Sequence, residues 1–411
     1  MTSEKCLTAN FVLACMVSLF AFSSFYLLLA VLPVYVKHVG GTEAHVGLVV
    51  GIFSATAVGL RLIIGWSTDR IGRRIFILLG APVLVLCSFS YSLIHSIWMF
   101  LLIRIAHGAG WSSFGTALNT LVADITPPSR RGEAMGYYGM AANVAMALGP
   151  AIGFAAMRYA GFTNLFYLAT AVAFIGFCCS LFVKDSHLKK SPETLPNVLP
   201  PTPQKDVMVV AIKEKEPFWR QLIVDTAIFP SGILVLAATT YGAMVSFLPI
   251  YAAQKGMDNP GVFFSVYAIT LVLARSVTGK LSDKFGRGAV ITPALVLASS
   301  ALAVLALADS ISGLLVAAVL YGLSFAGMQP TLMAFVVDRA APEKRGAAMG
   351  MYAMAMDLGI GGGALVWGLC AHALGYEYMF TLAALVAILT AGIFAVGYRK
   401  HSCAHVERAR A

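Results

Sequence analysis

Charge is scarce in this 411-residue chain: only 12% of its residues are Asp, Glu, Lys or Arg, against roughly 25% in a soluble domain. Acid is the scarcer sign, with 19 Asp and Glu facing 29 Lys and Arg. With 59% hydrophobic residues, a water-soluble fold has too little polar surface to cover its apolar groups. Cysteine offers no metal or disulfide signature. Cys6, Cys15, Cys87, Cys178, Cys179, Cys370 and Cys403 sit mainly in apolar runs without CxxC or Cys/His spacing, and read as packing residues. No HExxH, no GxSxG elbow and no metal-spaced histidine cluster is present, so an integral-membrane enzyme lacks its catalytic constellation. A P-loop is missing too, which argues against ATP-driven pumping. No cofactor or metal is implied.

What is abundant is the long apolar run. About 20 helical residues cross a hydrocarbon core of ~30 Å. Runs of that length number twelve, at about 9–36, 45–67, 75–94, 97–123, 134–157, 163–183, 225–252, 261–281, 289–308, 312–337, 347–373 and 378–398. The first is longer than the ~7–15-residue core of a signal peptide and is read as a retained span. With the N-terminus placed in the cytoplasm, 23 of the 29 basic residues fall on the cytoplasmic side. Three lie within spans (Arg61, Arg104, Arg275) and three outside (Lys37, Arg158, Lys255). This asymmetry predicts both termini inside and accounts for the net charge of +10 without a nucleic-acid partner. The stretch after span six carries Pro196, Pro200, Pro201 and Pro203, the composition of a linker. The expected organisation is a six-helix bundle at 1–184, a cytoplasmic linker at 185–224, a second bundle at 225–398 and a tail at 399–411.

The two bundles repeat one another. A shift of 214 residues carries Arg61, Gly65, Asp69, Gly72 and Arg73 onto Arg275, Gly279, Asp283, Gly286 and Arg287. It also carries Asp124, Pro128, Arg131, Gly132, Met135, Gly136 and Tyr138 onto Asp338, Pro342, Arg345, Gly346, Met349, Gly350 and Tyr352. Leu32-Pro33-Val34-Tyr35 matches Leu248-Pro249-Ile250-Tyr251 at an offset of 216. Paired membrane units of this kind predict a transporter that rocks about its centre.

Gly65-Trp66-Ser67-Thr68-Asp69-Arg70-Ile71-Gly72-Arg73-Arg74, with its echo around Asp283 and Arg287, resembles the signature loop of the major facilitator superfamily. Arg104 to Gly110, including His107, resembles that superfamily's span-four arginine motif, where glutamine is commoner than His107. Ala145 to Gly153, with Gly149 and Pro150, resembles the antiporter motif of its drug–proton antiporter branch, departing from it at Ala145 and Phe154. The resemblance covers essentially the whole chain. It implies an all-α membrane fold of twelve helices in two pseudo-symmetric bundles.

The resemblance implies that Asp69 latches the cytoplasmic side shut by accepting hydrogen bonds at the start of span eleven, and that Gly65, Arg70, Gly72, Arg73, Asp283 and Arg287 belong to the same gate. Arg70, Arg73 and Arg74 also fit a purely topological role. Arg104, deep in the apolar layer, needs a partner or a wet cavity. The resemblance gives it proton transfer; binding an anionic substrate fits equally. His107 is either a proton relay or a packed neutral histidine. Asp357 lies about 16 Å from Gly346, near the midplane, and is the deepest carboxylate in the sequence. It reads as a proton-coupling group or as half of a structural ion pair, with Arg61 of span two as the expected partner when the cytoplasmic side is shut. Gly149, Pro150 and Gly153 form a bendable point in span five. Phe25, Tyr26, Asn119, Tyr138, Asn143, Tyr241, Gln329 and Tyr352 are the candidate substrate contacts.

The resulting expectation is a monomeric secondary transporter of the inner or plasma membrane, exporting small organic molecules against protons. The alternative is a proton-coupled importer, or a facilitator of a small metabolite or sugar. A non-transporting membrane sensor is a third reading.

Overall fold

The computed structural model describes residues 8–127, 131–185, 224–257, 260–341 and 344–410. The predicted linker lies almost entirely outside the described residues. The chain is helical throughout the described part: α1 (Ala9–Leu29), α2 (Leu32–His38), α3 (Glu43–Ile71), α4 (Arg73–Ser90), α5 (Ile97–Asp124) and α6 (Arg131–Leu181) form the first half. The second half comprises α7 (Asp225–Gln254), α8 (Gly261–Phe285), α9 (Arg287–Ala306), α10 (Ile311–Arg339), α11 (Arg345–Leu374) and α12 (Tyr376–Arg410).

Among the described residues nine helices are long and apolar enough to span a membrane, and α8, bent by 43° beside Arg275, makes a tenth. One of the nine, Tyr137–Leu181, breaks at Gly161 (φ 81°, ψ 173°) into two spans. Together with α5, whose Arg104 and His107 dilute its apolar character, these give the twelve crossings expected from the sequence. Span one is α1 and α2 in series, interrupted at Ala30 just before Pro33.

Capping fixes several ends. Thr8 Oγ1 accepts from the Phe11 amide, and Thr42 and His45 form a reciprocal capping box at the start of α3. Asp185 caps α4 from a distance in sequence, its Oδ2 accepting from the Arg73 (2.8 Å) and Arg74 (3.1 Å) amides.

The sequence repeat is also a repeat of conformation. Gly72 and Gly286 share a backbone that side-chain-bearing residues rarely adopt (φ 104° and 88°), as do Gly161 and Gly375 (81° and 87°). Arg73 pairs with Asp124 at 2.9 Å, and 214 residues later Arg287 pairs with Asp338 at 2.9 Å. The Tyr35 hydroxyl donates to Ile94 O, and the Tyr251 hydroxyl reaches Ala308 O.

The face that carries these arginine clamps, Arg73 of α4 with Asp124 of α5 and Arg287 of α9 with Asp338 of α10, is the basic face, and the opposite one the far face. The α3–α4 turn and the α8–α9 turn lie on the basic face. Far-face halves of the two bundles are sealed together. One apolar core runs through Leu32, Val36, Val49 and Phe154 of the first bundle and Phe247, Leu248, Phe264 and Trp367 of the second. Another, through Phe11, Ala14, Ile77, Leu121 and Ala134, belongs to the first bundle alone. Among the described residues, polar contacts and ring stacks between bundles include Glu43–Tyr376 (3.0 Å), Glu43–His372 (3.7 Å), Phe154–Phe264 (5.4 Å) and Arg61–Asp357 (2.6 Å). The contacts of Glu43 and Phe154 lie toward the far face, while the Arg61–Asp357 bond lies deeper, about 15 Å from the basic end of α3 and about 27 Å from its far end. The molecule is therefore closed at the far face.

Candidate functional site

The seam between α3 and α11 is built from small residues. Gly47 and Gly51 on α3 meet Gly361, Ala364 and Leu365 on α11, and Gly368 meets Glu43 and Gly47. Spacing of small residues at one-turn intervals lets helix backbones approach closely in an apolar layer. Gly359 and Gly363 on the same helix instead face α7 of their own bundle, at Val235 and Thr239. Both packing and bundle closure thus use the span-eleven glycines. Gly149 and Gly153 press on Tyr26 and Leu27 of α1, inside the first bundle. Pro150 lies between them within the helix. Gly65, by contrast, has room: a side chain there would find Thr116 Cγ2 at 3.9 Å.

Arg61 and Asp357 sit at the lower edge of this seam. Ten residues separate Arg61 from the basic end of α3, about 15 Å along the axis. Its Nη2 donates to Asp357 Oδ2 at 2.6 Å. The side chains keep 13% and 21% of their exposure, so the pair is accessible while embedded in the layer. The two halves of the protein are joined here by a charge-assisted hydrogen bond. Arg61 meets the expected partner, but not in the expected state: the bond is made with the far face closed, not with the basic face shut, because the two residues lie at a depth where α3 and α11 still touch while the far-face seam holds.

Around the pair stands a set of tyrosines. Tyr26 lies within electrostatic reach of Asp357, and Tyr138 within reach of Arg61. Tyr241 is fully buried and stacks on Phe325 at 4.9 Å. The Tyr352 hydroxyl donates to Gln329 O (2.7 Å), and the Gln329 side-chain oxygen accepts from Arg275 Nη2 (2.8 Å). Asn119 and Asn143 are half-buried. Among the described residues, the buried hydroxyls of Tyr241 and Tyr267 have no hydrogen-bond partner. Tyr267 and Tyr321, which sequence reasoning passed over, join this set; Tyr321 shares a 2.9 Å hydrogen bond with Thr240.

Arg104, His107 and Phe25 form a different cluster. Arg104 is 1% exposed, donates to Val49 O (3.0 Å) and lies over the Phe53 ring at 4.2 Å. His107 shares a 2.8 Å hydrogen bond with the Tyr91 hydroxyl. Phe25 stacks on Trp111 (4.5 Å) and Phe53 (5.1 Å). On α3, Val49 is twelve residues and Phe53 eight residues from Arg61, so this cluster stands about 12–18 Å from the Arg61–Asp357 pair along the helix. The structure brings Asp357 and Arg61 together and leaves Arg104 and His107 apart from them. Phe53 and Trp111 carried no signal that distinguishes them from other aromatic packing residues.

On the basic face, Arg73 is 5% exposed, paired with Asp124 and bonded to Thr68 O (2.9 Å). Arg287 bonds Asp283 (2.6 Å), Ser282 (2.8 Å) and Asp338. Gly72 closes the α3–α4 turn. Arg70 lies over the Trp66 ring at 4.0 Å. The Asp69 side chain, and with it the predicted latch, lies outside the described residues. On the far face, Glu43 accepts from Lys37 (2.8 Å) and Tyr376, tying α2, α3 and α12.

Comparison with known proteins agrees with this architecture. The staphylopine export protein of Staphylococcus aureus (strain Mu50) is 23% identical over 387 residues, which span 90% of this chain and 92% of that protein. The quinolone resistance protein NorA of Staphylococcus aureus is 28% identical over 155 residues, 38% of this chain and 40% of its own length. The solved structure of the nucleoside transporter NupG superposes with a TM-score of 0.70 at 15% identity, covering 94% of this chain and 99% of that one. The family model of the Major Facilitator Superfamily matches residues 14–274 and 258–402, and the chain belongs to that superfamily of membrane transporters.

Proposed function

We propose that this transporter exports small organic molecules in exchange for protons, by alternating access, with its basic face in the cytoplasm of the inner or plasma membrane. The observation that carries the reading is the Arg61–Asp357 bond, which links the two bundles at the border of the sealed half. Protonating the carboxylate removes the charge that holds the guanidinium. A charge-assisted bond contributes about 1.5–3 kcal/mol and a neutral one about 0.5–1.5. Proton binding thus shifts the balance between the two tilts by roughly 1–2 kcal/mol, about five- to thirtyfold in population. Substrate and proton are exchanged because each perturbs the same pair.

The distribution of Lys and Arg supports the orientation. The export named for the staphylococcal relative supports the direction. Everted vesicles containing a pH-sensitive dye, screened with a compound panel, test the coupling. Wild-type vesicles are expected to release protons when substrate is added. Asp357→Asn is expected to abolish that signal while retaining exchange of labelled solute across the membrane. Proton movement that survives in Asp357→Asn removes the pair from the mechanism.

A further inference from the structure

Arg275 is the repeat mate of Arg61, and its environment departs from the repeat in one respect. Both arginines stand ten residues from the basic end of their helices. The partner of Arg61 is Asp357 of α11. Moving back 214 residues from Asp357 gives Asn143 of α6, and α6 packs on α8 across the seam much as α11 packs on α3. One side of the pseudo-symmetric seam therefore offers its arginine a carboxylate, and the other a neutral amide.

No other carboxylate takes that place among the described residues. The guanidinium of Arg275 donates one bond to the neutral Gln329 Oε1, where Arg61 donates to a carboxylate; the Nε of each arginine is buried without an acceptor. Tyr267 and Tyr352 are the titratable groups beside it. Tyr352 spends its proton on Gln329 O, and the Tyr267 hydroxyl has no partner. Neighbouring acids are engaged elsewhere: Asp283 and Asp338 with Arg287, Asp357 with Arg61. A guanidinium at this depth is costly without a counter-charge, and about 15 Å of helix separates it from the basic face. One planar guanidinium matches one carboxylate; a dianionic phosphate would leave an uncompensated negative charge in the layer.

We propose that Arg275, held by Gln329, is the subsite that receives the carboxylate of the transported molecule, an amphipathic organic monoanion whose apolar part lies among Tyr26, Tyr241 and Tyr267. The subsite rests on the export reading above only in taking this seam as the substrate route. The anion supplies the charge that Asn143 lacks. The Tyr267 hydroxyl, within electrostatic reach of Arg275, would then have an acceptor.

Equilibrium dialysis of the purified full-length protein in detergent tests the subsite without any proton gradient. The probes are matched acid and amide pairs: 1-naphthoate with 1-naphthamide, 4-phenylbutyrate with 4-phenylbutyramide, and indole-3-acetate with indole-3-acetamide. Each acid is expected to bind at least about tenfold more tightly than its amide. Arg275→Gln is expected to erase the preference. Asn143→Asp, which leaves the guanidinium in place and supplies an internal counter-charge, is expected to erase it as well. Size-exclusion profiles identical to wild type check that both variants fold. Equal binding of acids and amides, no binding of any acid, or a preference that survives in both variants overturns the proposal. Proton release evoked in vesicles by cationic compounds alone would overturn it while leaving the export reading intact.

Discussion

Closure at the far face depends on Gly47, whose replacement has a calculable effect. A Cβ added to Gly47 would stand 2.6 Å from Ala364 O, 3.1 Å from Leu365 Cα and 3.2 Å from Leu365 O. An ordinary carbon–oxygen contact is about 3.3–3.6 Å, so α3 and α11 must part by roughly 1 Å. All three atoms are backbone, and no rotamer change relieves the clash. Overpacking of this kind costs about 1–3 kcal/mol, which lowers the far-face-closed population by roughly 5–150-fold. Gly65 provides the opposite control. Its nearest potential contact, at 3.9 Å, leaves the present conformation free to accept a side chain. Double electron–electron resonance on a cysteine-free background reads both ends. One label pair, at Gly40 and Glu377, spans the far face, and another, at Arg70 and Lys284, spans the basic face. Gly47→Val is expected to lengthen the first distance and shorten the second. Gly65→Val is expected to leave the far face closed. Unchanged distance distributions in Gly47→Val, with transport intact, would refute the close-approach account of the seal.

The arginine clamps on the basic face should differ in weight because they differ in burial. Arg73 is 5% exposed and Arg287 belongs to a largely solvated pair. Asp124→Ala is expected to cost about 2–3 kcal/mol, discounted for the exposure of Asp124, while Asp338→Ala costs less than about 1; thermal unfolding in detergent separates them. Lys255 bonds Asp309 (2.7 Å) and Glu377 (2.6 Å) on the far face. Those two carboxylates raise its ammonium group above the ordinary lysine range. A raised value means that the contribution is complete below the free-lysine pKa and disappears as pH climbs through the raised one. The difference in Tm between wild type and Lys255→Met is therefore expected to stay constant from about pH 6 to 9 and to shrink in high salt.

The helix count follows from the length of apolar runs, because each span must satisfy its own backbone within the layer. Their number survives even at α5, where Arg104 and His107 interrupt the apolar pattern. The repeat offset was equally readable, and it extends to turn glycines and arginine–aspartate pairs. Asp357 and Arg61 could be matched in advance because one acid and one base lay at similar depths on spans that this fold brings together. Gly47 and Gly51 were overlooked although their one-turn spacing was present in the sequence. Asp185 gave no local signal, since it caps a helix more than a hundred residues earlier.

Composition and spacing thus determined the number of helices, their pairing into halves and the residues that break the apolar layer. Those properties depend on hydropathy and on separation along one chain. Tertiary structure decided which end is closed, that Arg104 rests on Val49 and Phe53, and that, among the described residues, Arg61 but not Arg275 has a carboxylate. Such outcomes depend on which helix faces meet across the two bundles, and a buried charge finds its partner in space.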